Sequence, residues 1–169
     1  MNSSKAFYDK YKSLVYNLAL NYSANKEDAE EITQDVFITV FKKMSGFRNE
    51  SKIETWIFRV TINKSLDYLK AKKRFKRNFI NDGVSIDQVS QTEFSDFNHP
   101  GVLLESKEEV QEIFRCINYL SEDYKTVIIL LKIENKTYKE VSEIMKVSVK
   151  AVESLFNRAK KKLDVLLKN

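Results

Sequence analysis

Six positive charges fall within eight residues at Lys70, Lys72, Lys73, Arg74, Lys76 and Arg77. A second polar group, Lys150, Glu153, Ser154, Asn157, Arg158 and Lys161, recurs at helical spacing near the C-terminus. Lysine and arginine at this density neutralise phosphates, and Asn, Arg, Ser and Lys also reach base edges. Five or six phosphate contacts by the first run would cost on the order of a thousandfold in affinity over a fourfold rise in salt. Such a run suits either DNA or plain solvent. Phe47, Arg48 and Asn49, followed by Trp56, Phe58, Arg59, Asn63 and Lys64, mix ring and guanidinium planes with hydrogen-bonding groups. Those planes stack on unpaired bases at ~1–3 kcal/mol per base, and an adjoining pocket can hold a base drawn out of the duplex. Trp56 and Phe58 fit a hydrophobic core equally well. Asp28, Glu31, Gln34 and Asp35 share one helix face and make an acidic ridge. That ridge is not aimed at DNA; it suits a basic protein partner or solvent.

None of these groups is catalytic. His99 is the only histidine, beside Pro100, with no cysteine or carboxylate pair near enough in sequence to complete a metal site. There is no glycine-rich phosphate loop and no nucleophile–base pair. The expectation is a non-enzyme without cofactor or metal.

The elements that must position these residues are helices. Three glycines and one proline in 169 residues, with abundant Lys, Glu, Leu, Ile and Val, predict an all-α chain. Phe7, Tyr11, Leu14, Val15 and Leu18 line a first helix that ends near Tyr22. Asn25 caps a second, carrying Ala29, Ile32, Val36, Phe37, Val40, Phe41 and Met44 and ended by Gly46. A third begins after Ser51 and carries Ile53, Trp56, Ile57, Val60, Leu66 and Leu69 into the basic run. Further helices are expected over 105–119 and 121–133, the latter opening on Ser121 with acids in its first turn. Thr137 and Glu140 form a capping box for a short helix with Val141, Ile144 and Met145 inward. After Lys146-Val147-Ser148 the last helix puts Val152, Leu155, Phe156, Ala159, Leu163 and Leu166 on one side. Two helices about a tight turn, the second polar and basic outward, form a helix-turn-helix fit for a DNA groove. An ordinary helical hairpin is the plainer reading.

Residues 78–104 hold two of the three glycines, the only proline and the only histidine, with no helical period. They predict a flexible linker between two small helical domains, 1–77 and 105–169. Charge follows the same division. Residues 1–77 carry 16 basic and 9 acidic groups, 78–109 one against seven, and 110–169 12 against 8, for a net +5. Two basic blocks joined by an acidic segment favour a polyanion touched at two places. The single Cys116 excludes a disulfide framework and sits in an apolar pattern, so a buried, inert thiol in a reducing setting is expected. No apolar run approaches the ~18–20 residues that span a membrane, and Met1–Lys5 lacks the apolar core of a signal peptide. A cytoplasmic protein is the expectation.

Taken in order, several short stretches resemble the extracytoplasmic-function sigma factors of bacterial RNA polymerase. They are 28–37 (DAEEITQDVF), Phe47 to Ser51 leading to Thr55-Trp56, Asn63, 67–69, 120–124 (LSEDY), 137–140 (TYKE) and 154–160. The resemblance covers both domains but not the linker. It implies that Glu31, Gln34 and Asp35, with Asp28 beside them, dock on the clamp helices of the polymerase largest subunit. Phe47, Arg48, Asn49, Arg59 and Asn63 would melt the −10 element and hold its flipped base, with Trp56 shaping the pocket and Lys64, Lys72, Lys73 and Arg74 on DNA. The last helix would read −35 DNA, and the acidic linker would thread the polymerase channel. Implied partners are core polymerase and promoter DNA; an anti-sigma factor stays open. Lys146 stands where the family has a turn glycine, so a left-handed residue there would cost ~1 kcal/mol, or the turn is built differently. Glu153 and Leu155 stand where arginines are frequent; glutamate can accept from cytosine but repels phosphate. A helix-turn-helix regulator acting without polymerase is the alternative, though a duplex binder has no need of the acidic ridge or the Phe47–Asn63 surface. A purely protein-binding adaptor would leave both basic blocks unexplained.

Overall fold

A computed structural model describes residues 2–47, 52–81 and 107–168, which form helices and short turns with no strand among them. The helices are α1 (Asn2–Ser23), α2 (Lys26–Lys43), α3 (Ile53–Asn81), α4 (Lys107–Asn118), α5 (Glu122–Ile128), α6 (Tyr138–Met145) and α7 (Val149–Leu167). Among the described residues no helix is long and apolar enough to cross a membrane. The chain divides into two compact units, 1–50 with 60–99 and 51–59 with 100–169.

In the first unit α1 ends one residue beyond the expected Tyr22. Ala24 turns left-handed (φ 52) and its N–H donates to the Leu20 carbonyl at 2.8 Å, closing the last turn. Asn25 then caps α2 as expected, its Oδ1 accepting from the Asp28 N–H at 2.9 Å. Glu27 and Asp28 in the first turn and Lys42 and Lys43 in the last complement the helix dipole. Val15, Leu18 and Ala19 of α1 pack with Ala29, Ile32, Val36 and Val40 of α2, all at most 1% exposed. Full burial of each valine, leucine or isoleucine is worth ~1.5–3 kcal/mol. Phe7, Tyr11, Phe37 and Phe41 add a cluster of ring contacts 4.7–6.2 Å apart. A short 3₁₀ turn, Met44–Gly46, closes α2.

The linker expectation needs one correction. It begins at 78, but the backbone stays helical to Asn81, because Asn78-Phe79-Ile80 contains no breaker and the next glycine is Gly83. The rest of that stretch, with His99 and Pro100, and the proposed helix start at Glu105 lie outside the described residues, as do Arg48 and Asn49.

The second unit is built on Ile57 and Phe58 from the first turns of α3, Phe114 and Ile117 of α4, and Val127 to Leu130. After Ile128 the helix widens to a π turn, Ile129–Ile133, in which the Glu134 N–H reaches back to the Ile129 carbonyl at 2.9 Å. Ser121 starts α5 with Glu122 and Asp123 in its first turn, though its side chain makes no cap bond. Thr137 and Glu140 form both halves of the capping box on α6. Ser148 caps α7, its Oγ accepting from the Ala151 N–H at 3.1 Å. Between them Lys146 is left-handed, φ 57 and ψ 43: the chain keeps the glycine-type turn and bears the strain. Cys116 is buried, and that burial, with the Glu112 charge beside it, pushes its thiol above the usual range, away from reactive thiolate.

Candidate nucleic-acid interface and acidic docking face

On α2, Glu31, Gln34 and Asp35 are exposed and lie on one face with Ile38, a 52% exposed isoleucine the sequence reading passed over. Asp28 departs from that group. It is 8% exposed and faces α3, where Tyr68 Oη lies 2.9 Å from its Oδ1 and Lys72 Nζ meets its Oδ2 at 2.5 Å. Lys72, assigned to DNA from its place in the basic run, is thus half-buried and paired with a carboxylate. Its neighbours Lys73 and Arg74 are exposed.

Asn63 and Lys64 line an open cleft of about 440 Å³ between α2 and α3, together with Thr39, Lys42, Lys43, Val60 and Asp67. The α2 half of this cleft, Thr39, Lys42 and Lys43, was not singled out from sequence. Its only signal was i, i+3, i+4 spacing of polar groups, which any solvated helix face shows. Three lysines beside an amide and a hydroxyl make a cleft suited to a nucleotide and its phosphates.

The remaining stacking residues divide. Phe47 is half-buried and its N–H donates to the Met44 carbonyl at 3.1 Å. Phe58 is 2% exposed and belongs to the core, the plainer of its two readings; Trp56 is partly buried. Arg59, within the second unit, donates from Nε to the Ile144 carbonyl at 3.2 Å and from Nη2 to the Glu143 carbonyl at 2.5 Å. It thereby satisfies carbonyls left over at the end of α6.

On α7, Lys150, Glu153, Ser154, Asn157, Arg158 and Lys161 are all exposed, while Val152 and Ala159 on the opposite side are fully buried. Phe156 is held by the Tyr138 ring at 6.2 Å, edge-on, and by Lys132 over its face at 5.2 Å. The capping box holds the Glu140 carboxyl below its ordinary value, because the Thr137 N–H and hydroxyl both donate to it. Among the described residues no three metal-ligating side chains come together.

Residues 7–75 match the family model of sigma-70 region 2, and 110–163 match that of sigma-70 region 4. The chain is 30% identical over 158 residues to an ECF RNA polymerase sigma-E factor of Haemophilus influenzae, covering 92% of this chain and 82% of that one. It is 28% identical over 156 residues to the sigma-E factor of Escherichia coli K12, covering 92% and 81%. Among solved structures, the sigma factor RpoE of Bartonella quintana, in complex with the anti-sigma factor NepR, has the same fold with a TM-score of 0.70. The identity there is 24%, over 99% of this chain and 98% of that one. CnrH, in complex with the cytosolic domain of CnrY, matches with a TM-score of 0.65 at 19% identity, over 98% and 87%. The chain belongs to the extracytoplasmic-function sigma factors of the sigma-70 family. It is a non-enzymatic initiation factor that binds core RNA polymerase and directs transcription from specific promoters. A regulator acting without polymerase is not favoured.

Proposed function

We propose that the exposed Glu31–Gln34–Asp35 face of α2 docks on the clamp helices of core polymerase. The −10 element is assigned to Phe47, Arg48, Asn49, Trp56, Arg59, Asn63, Lys64, Lys73 and Arg74, of which Asn63 and Lys64 line the α2–α3 cleft. The exposed face of α7 reads −35 DNA. These roles divide the chain into a polymerase and −10 domain, 1–77, a linker, 78–104, whose first four residues continue α3, and a −35 domain, 105–169. The observation that carries the reading is the acidic face itself: three exposed polar groups beside one exposed isoleucine, on a helix whose other side is fully packed. A duplex reader gains nothing from it, whereas a charged rim around an apolar centre suits a basic protein surface. We place this work in the cytoplasm, and the anti-sigma factor NepR bound to the Bartonella quintana sigma factor makes such a protein a candidate regulator here.

The test replaces Gln34 by Ala and Asp35 by Lys. Co-purification with core polymerase is expected to disappear while thermal unfolding stays cooperative. Unchanged co-purification would refute the docking role.

A further inference from the structure

Tyr68 and Lys72 stand one turn apart on α3 and meet two carboxylates of α2. Tyr68 Oη lies 2.9 Å from Asp28 Oδ1 and 2.9 Å from Glu31 Oε2. Lys72 Nζ lies 2.5 Å from Asp28 Oδ2, in a pair whose side chains are 29% and 11% exposed. A phenol carries one proton, and both oxygens it faces are acceptors only. The hydroxyl therefore serves one carboxylate at a time, and the other must be satisfied from elsewhere. Asp28 has that second source in the Lys72 ammonium. With Lys72 on Asp28, the Tyr68 proton is released to Glu31 on the exposed side.

We infer that Tyr68 is a positioning residue for polymerase docking: its hydroxyl fixes the Glu31 carboxylate on the exposed face of α2, and Lys72 keeps that hydroxyl available by neutralising Asp28. The inference rests on the reading of Glu31 as a docking group. It moves Lys72 from the DNA contacts to the support of the acidic face. Burial, reinforced by the two carboxylates, holds the Tyr68 proton above the ordinary tyrosine value, so the hydroxyl is a donor throughout the neutral range. A long glutamate side chain at the surface otherwise loses rotamer freedom when it docks; fixing it beforehand lessens that cost.

The experiment titrates labelled full-length protein with core polymerase and follows thermal unfolding alongside. Tyr68→Phe removes only the hydroxyl and is expected to weaken core binding roughly three- to tenfold, the size of one ordinary net hydrogen bond at an exposed site. In a Glu31→Ala background the same change is expected to add nothing, since the exposed carboxylate that Tyr68 positions is gone and Asp28 keeps Lys72. Lys72→Met is expected to weaken binding to a similar degree and Lys72→Arg to restore it. Wild-type affinity in Tyr68→Phe, with weaker binding in Glu31→Ala, overturns the positioning role and leaves the docking face standing. An equal loss from Tyr68→Phe with and without Glu31 shows that Tyr68 acts on the fold alone, and also overturns it. Wild-type affinity in Glu31→Ala removes Glu31 from the docking face, and the inference with it.

Discussion

The helix-turn-helix and the α2–α3 junction use the same kinds of polar side chain over very different distances along the chain. In the turn, Thr137 bonds Glu140 and Ser148 bonds Ala151, each three residues on. In the junction, Asp28 finds Tyr68 and Lys72, 40 and 44 residues away. A cap needs only its own helix, so its energy is available as soon as the turn forms. The junction needs two helices already packed, so its bonds follow the core rather than direct it. Local pairs define where elements begin; distant pairs define which surface an element offers.

The largest expected effect separates the two units. Val152 is fully buried in α7, and Val152→Asp would place a carboxylate there without a partner, costing ~3 kcal/mol or more. Loss of −35 duplex binding and of a cooperative unfolding transition in the second unit is expected, with co-purification of core polymerase retained through α2. Loss of both activities would show that the units do not fold independently. Next is Asn63→Ala in the cleft, which should reduce promoter opening about tenfold, the scale of one base contact. Permanganate reactivity of the −10 strand reads this, and binding to a −35 duplex should stay unchanged; an equal fall in both would count against a −10 role.

Smaller effects fall on the local caps. Thr137→Ala removes the hydroxyl that accepts from the Glu140 N–H and donates to its carboxylate, leaves the backbone half of the capping box in place, and should cost the second unit ~1 kcal/mol. Because the folded state holds the Glu140 carboxyl below its unfolded value, its stabilisation is complete above the ordinary glutamate range of about 4.3 and is lost as pH falls through the lowered value. Denaturant midpoints taken between neutral and acid pH should therefore drop less steeply in Glu140→Gln than in the parent. The smallest change runs the other way: Lys146→Gly relieves a left-handed side-chain conformation and should raise stability by ~1 kcal/mol at most.

The contrast between short and long range also decides what could be read from sequence. Asn25, Thr137 and Ser148 announce their helices because a cap is a property of four consecutive residues. Lys146, between a capped helix and a second cap, could be placed in the turn, and its left-handed backbone was one of two expectations. Asp28 could not be separated from Glu31 and Asp35, since spacing puts all three on one face; a few degrees of helix rotation decide which one α3 covers. Arg59 carries the same lesson, with carbonyl partners 84 and 85 residues downstream. Thr39, Lys42 and Lys43 become a cleft only when α3 brings Asn63 opposite them.

The wide turn at Ile129–Ile133 holds one residue more than regular α spacing requires. Deleting a single codon within that stretch would let ordinary i→i+4 bonding resume without changing how the flanking segments point. Length drift by one residue among related chains should therefore collect at this spot, and a gap found there in an alignment would signal shared architecture rather than divergence.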